Sequence, residues 1–136
     1  MNEFWNVMVP ELTVLNFKES LDFYTNVLGF VIKYQRNNPD FAYLVYEKQV
    51  QLMIEAYHET GWDTGELEYP LGRGINLQIE VTNVESIISS LKKRNYSLFR
   101  ELKYSEYIEG DIIHGQKEFL VQDPNGYLLR FCEVKN

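Results

Sequence analysis

The sequence predicts an α+β fold built from two copies of one small module, each a strand, a helix and three further strands. Three observations carry that prediction. A strand-to-helix junction occurs twice, 67 residues apart in a chain of 136: Leu12-Thr13-Val14-Leu15-Asn16-Phe17 and Ile79-Glu80-Val81-Thr82-Asn83-Val84. Each is an extended apolar run ending at an Asn that can cap a following helix. An amphipathic stretch follows each junction, and short runs with two-residue alternation follow that. A repeat of about half the chain points to two fused modules rather than a solenoid.

The elements follow in order. Residues 6–14 read as the first strand. The helix at 17–28 carries Leu21, Tyr24 and Leu28 on one stripe, has Glu19 three residues after Asn16 as a capping-box partner, and closes at Gly29. Strands follow near 30–36, 41–47 and 50–57, completing a module over residues 4–57. The connector at 58–74 holds Gly61, Gly65, Pro70, Gly72 and Gly74, the one stretch where Gly and Pro cluster, and separates the modules. Module two covers 75–136: a strand at 75–82, a helix at 84–94 with Val84, Ile87, Ile88 and Leu91 on its stripe, a strand near 97–103, a loop at 104–115, and a hairpin of 116–122 with 127–134. Asp123-Pro124-Asn125-Gly126 suits that hairpin's turn, since Pro sets one dihedral and Asn-Gly accepts positive φ.

Composition limits the function. The net charge of −7 and pI near 4.8 argue against a nucleic-acid partner, because phosphate binding needs clustered Lys and Arg. Neutral or cationic ligands are favoured, although acidity also serves solubility. Without a charged-then-apolar leader or an apolar run near 18 residues, no membrane association is expected and a cytoplasmic location is. A single cysteine, Cys132, excludes an intramolecular disulfide and, lacking an evident His partner, reads as a buried thiol. His58 and His114 are the two histidines; neither sits in a metal-ligand spacing, and both read as surface or groove-rim residues. Gly72-Arg73-Gly74 lacks the flanking strand and helix of a phosphate loop.

Alternation within the strands suggests a binding face. Ile75, Leu77, Ile79 and Val81 alternate with Asn76, Gln78 and Glu80; Leu52 and Ile54 alternate with Gln51, Met53 and Glu55; Leu129 and Phe131 flank Arg130. One face packs and the other meets water or ligand. With 20 aromatic residues in 136, a ligand cleft lined by the polar faces of both modules is expected.

The segments Ser20-Leu21-Asp22-Phe23-Tyr24-Thr25-Asn26-Val27-Leu28-Gly29-Phe30 and Phe119-Leu120-Val121-Gln122-Asp123-Pro124-Asn125-Gly126-Tyr127-Leu128-Leu129-Arg130-Phe131 together resemble the glyoxalase/bleomycin-resistance/extradiol-dioxygenase superfamily, also called vicinal oxygen chelate. The resemblance spans almost the whole chain. It implies paired βαββ modules, βαβββ in the local reading, whose eight strands form a cup-shaped mixed sheet with helices on the outer face, and commonly a homodimer.

Enzymes of that superfamily hold a divalent ion with His and Glu at up to four positions. Carried onto this chain, these fall at Val9, Glu55, Asn76 and Arg130. Only Glu55 is a strong donor; Val9 has none, Asn76 offers a weak carbonyl, and Arg130 brings a fixed positive charge. Catalytic metal sites generally need about three protein ligands, so no metal or cofactor is expected. Arg130 is expected either to pair with Glu55 or to grip an anionic group on a ligand. The resemblance is closest to metal-free bleomycin-resistance proteins, which sequester a drug. It implies a metal-independent homodimer that binds an aromatic, cationic small molecule without catalytic residues, using Tyr43, Glu55, Tyr57, Trp62, Asn76, Gln78, Tyr107, His114 and Arg130. The alternatives are a metal-dependent lyase or dioxygenase-like enzyme of the same superfamily and a non-catalytic interaction module.

Overall fold

A computed structural model describes residues 4–135. The chain divides into two compact units between Tyr69 and Pro70, inside the segment expected as connector. Unit one contains β1 (Glu11–Val14), α1 (Phe17–Asp22), β2 (Val31–Arg36), β3 (Phe41–Tyr46) and β4 (Val50–Ala56). Unit two contains β5 (Asn76–Glu80), α2 (Val84–Lys93), β6 (Arg100–Glu109), β7 (Ile112–Gln122) and β8 (Leu128–Lys135). Each unit forms one four-stranded mixed sheet, ordered β1-β4-β3-β2 and β5-β8-β7-β6, with the first strand parallel to the last and the other pairs antiparallel. The two units therefore share one topology, as the repeated junction predicts.

Both helices begin where the asparagines place them. Asn16 Oδ1 accepts from Glu19 N at 3.0 Å, and Asn83 Oδ1 accepts from Ser86 N at 3.1 Å. Past Asp22 the first helix widens into a π-helical turn over Phe23–Val27, where the Thr25 hydroxyl bonds back to Leu21 O at 2.6 Å. Gly29 then takes φ +96° and ends the helix. In unit one Leu12, Val14, Leu44, Leu52 and Ile54 bury one sheet face, with Phe23 and Tyr24 also fully enclosed. Unit two packs Ile79, Phe119, Val121, Leu129 and Phe131 into a core shared with Val84, Ile87 and Leu91 of α2. Among the described residues no helix is long and apolar enough to cross a membrane.

Two sequence expectations need correction. The first strand starts at Glu11 rather than near residue 6. Pro10 has no N–H to give a ladder, and the residues before it are held largely through side chains: Asn6 N donates to Gln51 Oε1 at 2.9 Å and Asn6 Nδ2 to Gln49 O at 2.7 Å. Residues 104–115 are not a loop. They form a ribbon in which β6 and β7 pair up to Glu109 and Ile112, leaving Gly110-Asp111 as a two-residue turn with Gly110 at φ +61°. Glycine at the first position supplies that positive φ without steric cost.

Candidate functional site

Because β1 runs parallel to β4 with Glu11 opposite Met53 and Thr13 opposite Glu55, the side chains of Glu11, Thr13, Met53 and Glu55 share the sheet face turned away from the core. Glu11 and Glu55 both line a cleft of about 320 Å³ on this face. Arg36 at the end of β2 and Pro39 form another side, and the segment after β4 closes it with His58, Thr60, Gly61 and Trp62. Thr13 Oγ1 donates to Asp63 Oδ1 at 3.3 Å, which ties that segment back to β1.

Within the cleft His58 bridges two partners. Its Nε2 lies 2.9 Å from Glu55 Oε1 and its Nδ1 lies 3.1 Å from Thr60 Oγ1. The neutral tautomer with its proton on Nε2 satisfies both, donating to the carboxylate and accepting from the hydroxyl. Burial raises the Glu11 carboxyl above its ordinary range, and the Glu55 charge raises it further; Arg36 and His58 oppose the shift. Trp62 presents an indole that is 94% exposed.

Of the nine residues singled out from sequence, Glu55 and Trp62 line this cleft. Tyr57 follows β4 with its side chain half exposed. Tyr43 is only 5% exposed: its hydroxyl donates to Gln51 Oε1 and its ring meets Trp5 edge-on at 4.9 Å. In unit two, Asn76 and Gln78 are exposed on β5, and Gln78 pairs with Arg130 in the register. Arg130 Nε donates to Glu118 Oε2 at 3.0 Å, so its carboxylate partner comes from the neighbouring strand of its own unit, as His58 serves Glu55 in the other. Tyr107 Oη also reaches Glu118, at 3.3 Å, while His114, opposite Tyr107, lies 3.1 Å from Glu109.

The sequence reading missed Glu11, Arg36 and the pairing of Glu55 with His58. The signal for Glu11 was present, since Glu11 and Thr13 alternate with the buried Leu12 and Val14. Val9, the first-strand position that the resemblance points to, lies two residues before Glu11. Among the described residues no group of three or more His, Cys, Asp or Glu side chains stands close enough to hold a metal ion. At the positions that the resemblance points to, Val9, Asn76 and Arg130 leave Glu55 as the one strong donor, which does not fit the three-ligand sites usual for catalytic divalent metals.

Known proteins resemble the chain along most of its length. The lactoylglutathione lyase of Neisseria meningitidis serogroup A is 29% identical over 132 residues, covering 92% of this chain and 88% of the relative. That of Escherichia coli O157:H7 is 27% identical over 128 residues, covering 92% and 90%. A solved glyoxalase/bleomycin resistance protein/dioxygenase from Alicyclobacillus acidocaldarius superposes with a TM-score of 0.64 at 23% identity, covering 96% of this chain and 92% of that one, a likeness of fold. With the family model matching residues 7–131, the chain belongs to the Glyoxalase/Bleomycin resistance protein/Dioxygenase superfamily.

Proposed function

We propose that the protein is a metal-independent small-molecule-binding member of the superfamily, of the bleomycin-resistance type, taking a ligand that joins an aromatic ring to a cationic group. The observation that carries this reading is the pair of carboxylates, Glu11 and Glu55, on one face of a cleft beside an exposed indole. Glu11 resists ionisation there because of burial and the Glu55 charge. A ligand cation relieves that penalty, and Trp62 offers it a face for stacking. Calorimetric titration, beginning with bleomycin, tests the reading. Glu55→Gln and Glu11→Gln should each weaken binding about tenfold, the loss of one charge-assisted contact. Affinity unchanged in both variants would remove the cleft from the mechanism.

A second reading, a metal-dependent lyase, is favoured by the activity named for the curated relatives. Against it stand Val9, Asn76 and Arg130 at the positions where the superfamily's ligands are expected. The two readings part on metal stoichiometry: protein stripped with chelator, incubated separately with nickel, zinc, manganese or iron(II), and desalted. We expect no tightly held ion; about one per chain would favour the lyase.

A further inference from the structure

A row of aromatic rings crosses the same face of the unit-one sheet. Tyr43 and Tyr34 stack at 5.6 Å with 19° between their planes, and Tyr34 meets Phe41 at 5.6 Å. Arg36 Cζ sits 4.1 Å from the Phe41 ring centre, and Arg36 also lines the carboxylate cleft. The other end of the row is occupied by the chain itself. Trp5 meets Tyr43 at 4.9 Å and Tyr34 at 5.9 Å, both edge-on, while Lys33 Nζ lies 3.8 Å from the Trp5 ring centre. This indole remains 45% exposed, so it is seated on the shelf rather than buried in a core.

The tether that seats it is made through side chains. Gln51 Nε2 and Lys33 Nζ donate to Phe4 O at 2.8 and 2.9 Å, and Asn6 N and Nδ2 bond Gln51 Oε1 and Gln49 O. The Lys33 and Gln49 contacts are exposed and can exchange for water, and lifting the segment opens the Gln51 amide to the same exchange. Gln51, 4% exposed, also receives the Tyr43 hydroxyl, so one buried amide links tether and shelf.

We propose that the Tyr34–Tyr43 shelf is a binding site for a planar aromatic ring and that Trp5 is its resident stand-in, displaced when a ligand ring enters. The inference rests on the proposed function for the class of ligand and adds the place its ring takes and the displacement of Trp5. A ring that binds only the open shelf loses apparent affinity in proportion to the open fraction. Removing Trp5 removes that loss.

The test is titration with indole, a neutral ring that needs no carboxylate, followed by NMR. Trp5→Ala should bind indole at least tenfold more tightly than the wild type, and adding Tyr34→Ala should abolish the gain. In the wild type, saturating indole should move the Trp5 indole N–H signal to its solvent-exposed position, a readout that requires no variant to fold. Equal indole affinity in wild type and Trp5→Ala, or an unmoved Trp5 signal at saturation, would overturn the proposal. Benzamidine carries both a ring and a cation, so it is the affinity it loses in Glu55→Gln that reads the cleft. Displacement of Trp5 by indole with benzamidine affinity equal in wild type and Glu55→Gln would leave the shelf standing and remove the cleft, and Glu55-dependent benzamidine binding without indole binding would do the reverse.

Discussion

Glu11 carries the sharpest expectation at the level of single residues. Its carboxyl protonates more readily in the folded chain than in the unfolded one, chiefly through burial and secondly through Glu55. A carboxylate with a raised folded-state pKa costs stability wherever it is ionised in both states, and the cost vanishes as pH falls through the raised value toward the unfolded one. Glu11 keeps much of its side chain in solvent, which screens the effect, so Glu11→Gln should raise Tm at pH 7 by no more than about 1 °C for a chain of this size, and the advantage should disappear at acid pH. Thermal unfolding followed between pH 3 and 8 checks both the sign and the window; a variant less stable than the wild type at pH 7 would mean that Glu11 is a favourable partner. Cys132 is shifted in the same direction for the same reasons: burial is the first cause pushing its thiol up, with Glu80 and Glu118 adding to the shift. It should stay unreactive to iodoacetamide in the native protein and react only on unfolding, measured by mass spectrometry with and without denaturant.

Among the elements, the β7–β8 turn was legible in the sequence because its chemistry is local. Asp123 is buried and its Oδ1 accepts from Asn125 N at 2.8 Å and Tyr127 N at 3.0 Å, while Gly126 takes φ +99°. A Cβ at Gly126 would sit 2.5 Å from both Cα and Cβ of Pro70, a clash with backbone that no rotamer relieves. Gly126→Ala should cost about 2–4 kcal/mol, combining positive-φ strain with that clash; urea denaturation measures it, and a loss below about 0.5 kcal/mol would show that Pro70 yields easily. The two helix starts were equally legible, since Asn16 and Asn83 cap through bonds three residues long. The β6–β7 ribbon was not. Its strands carry apolar residues on exposed positions, with Ile108, Ile112 and Ile113 all accessible, so no inside-outside alternation marks them, and the Gly110-Asp111 turn alone is a weak signal. Of the aromatic shelf only Tyr43 was singled out in the sequence; Tyr34 and Trp5 were not, and Trp5 reaches the shelf from a segment without regular structure, so no periodicity announces the contact.

For the chain as a whole, the readable part is what repeats: two junctions, two sheets of one topology and the superfamily they imply. The candidate site was less readable because it depends on register between strands distant in sequence. The placing of Glu11 and Glu55 on one face of β1 and β4 spans a helix and two strands, and composition supplies only its sign. That sign has its own consequence. With 20 acidic against 13 basic residues, the molecule carries a net charge of −7, which repels itself when folded and attracts cations from solution. Salt shortens the screening length from about 10 Å at 0.1 M to about 3 Å at 1 M, and the two effects should then move in opposite directions. Raising sodium chloride from 0.1 to 1 M should increase Tm by a few degrees as self-repulsion is screened, while the affinity for benzamidine falls several-fold. Neutral indole binding should hold nearly constant over the same range. Differential scanning calorimetry and isothermal titration across the salt series read all three quantities. If benzamidine affinity proved insensitive to salt while stability rose, the cation would be held by contacts in the cleft alone, and the net charge would serve solubility rather than ligand capture.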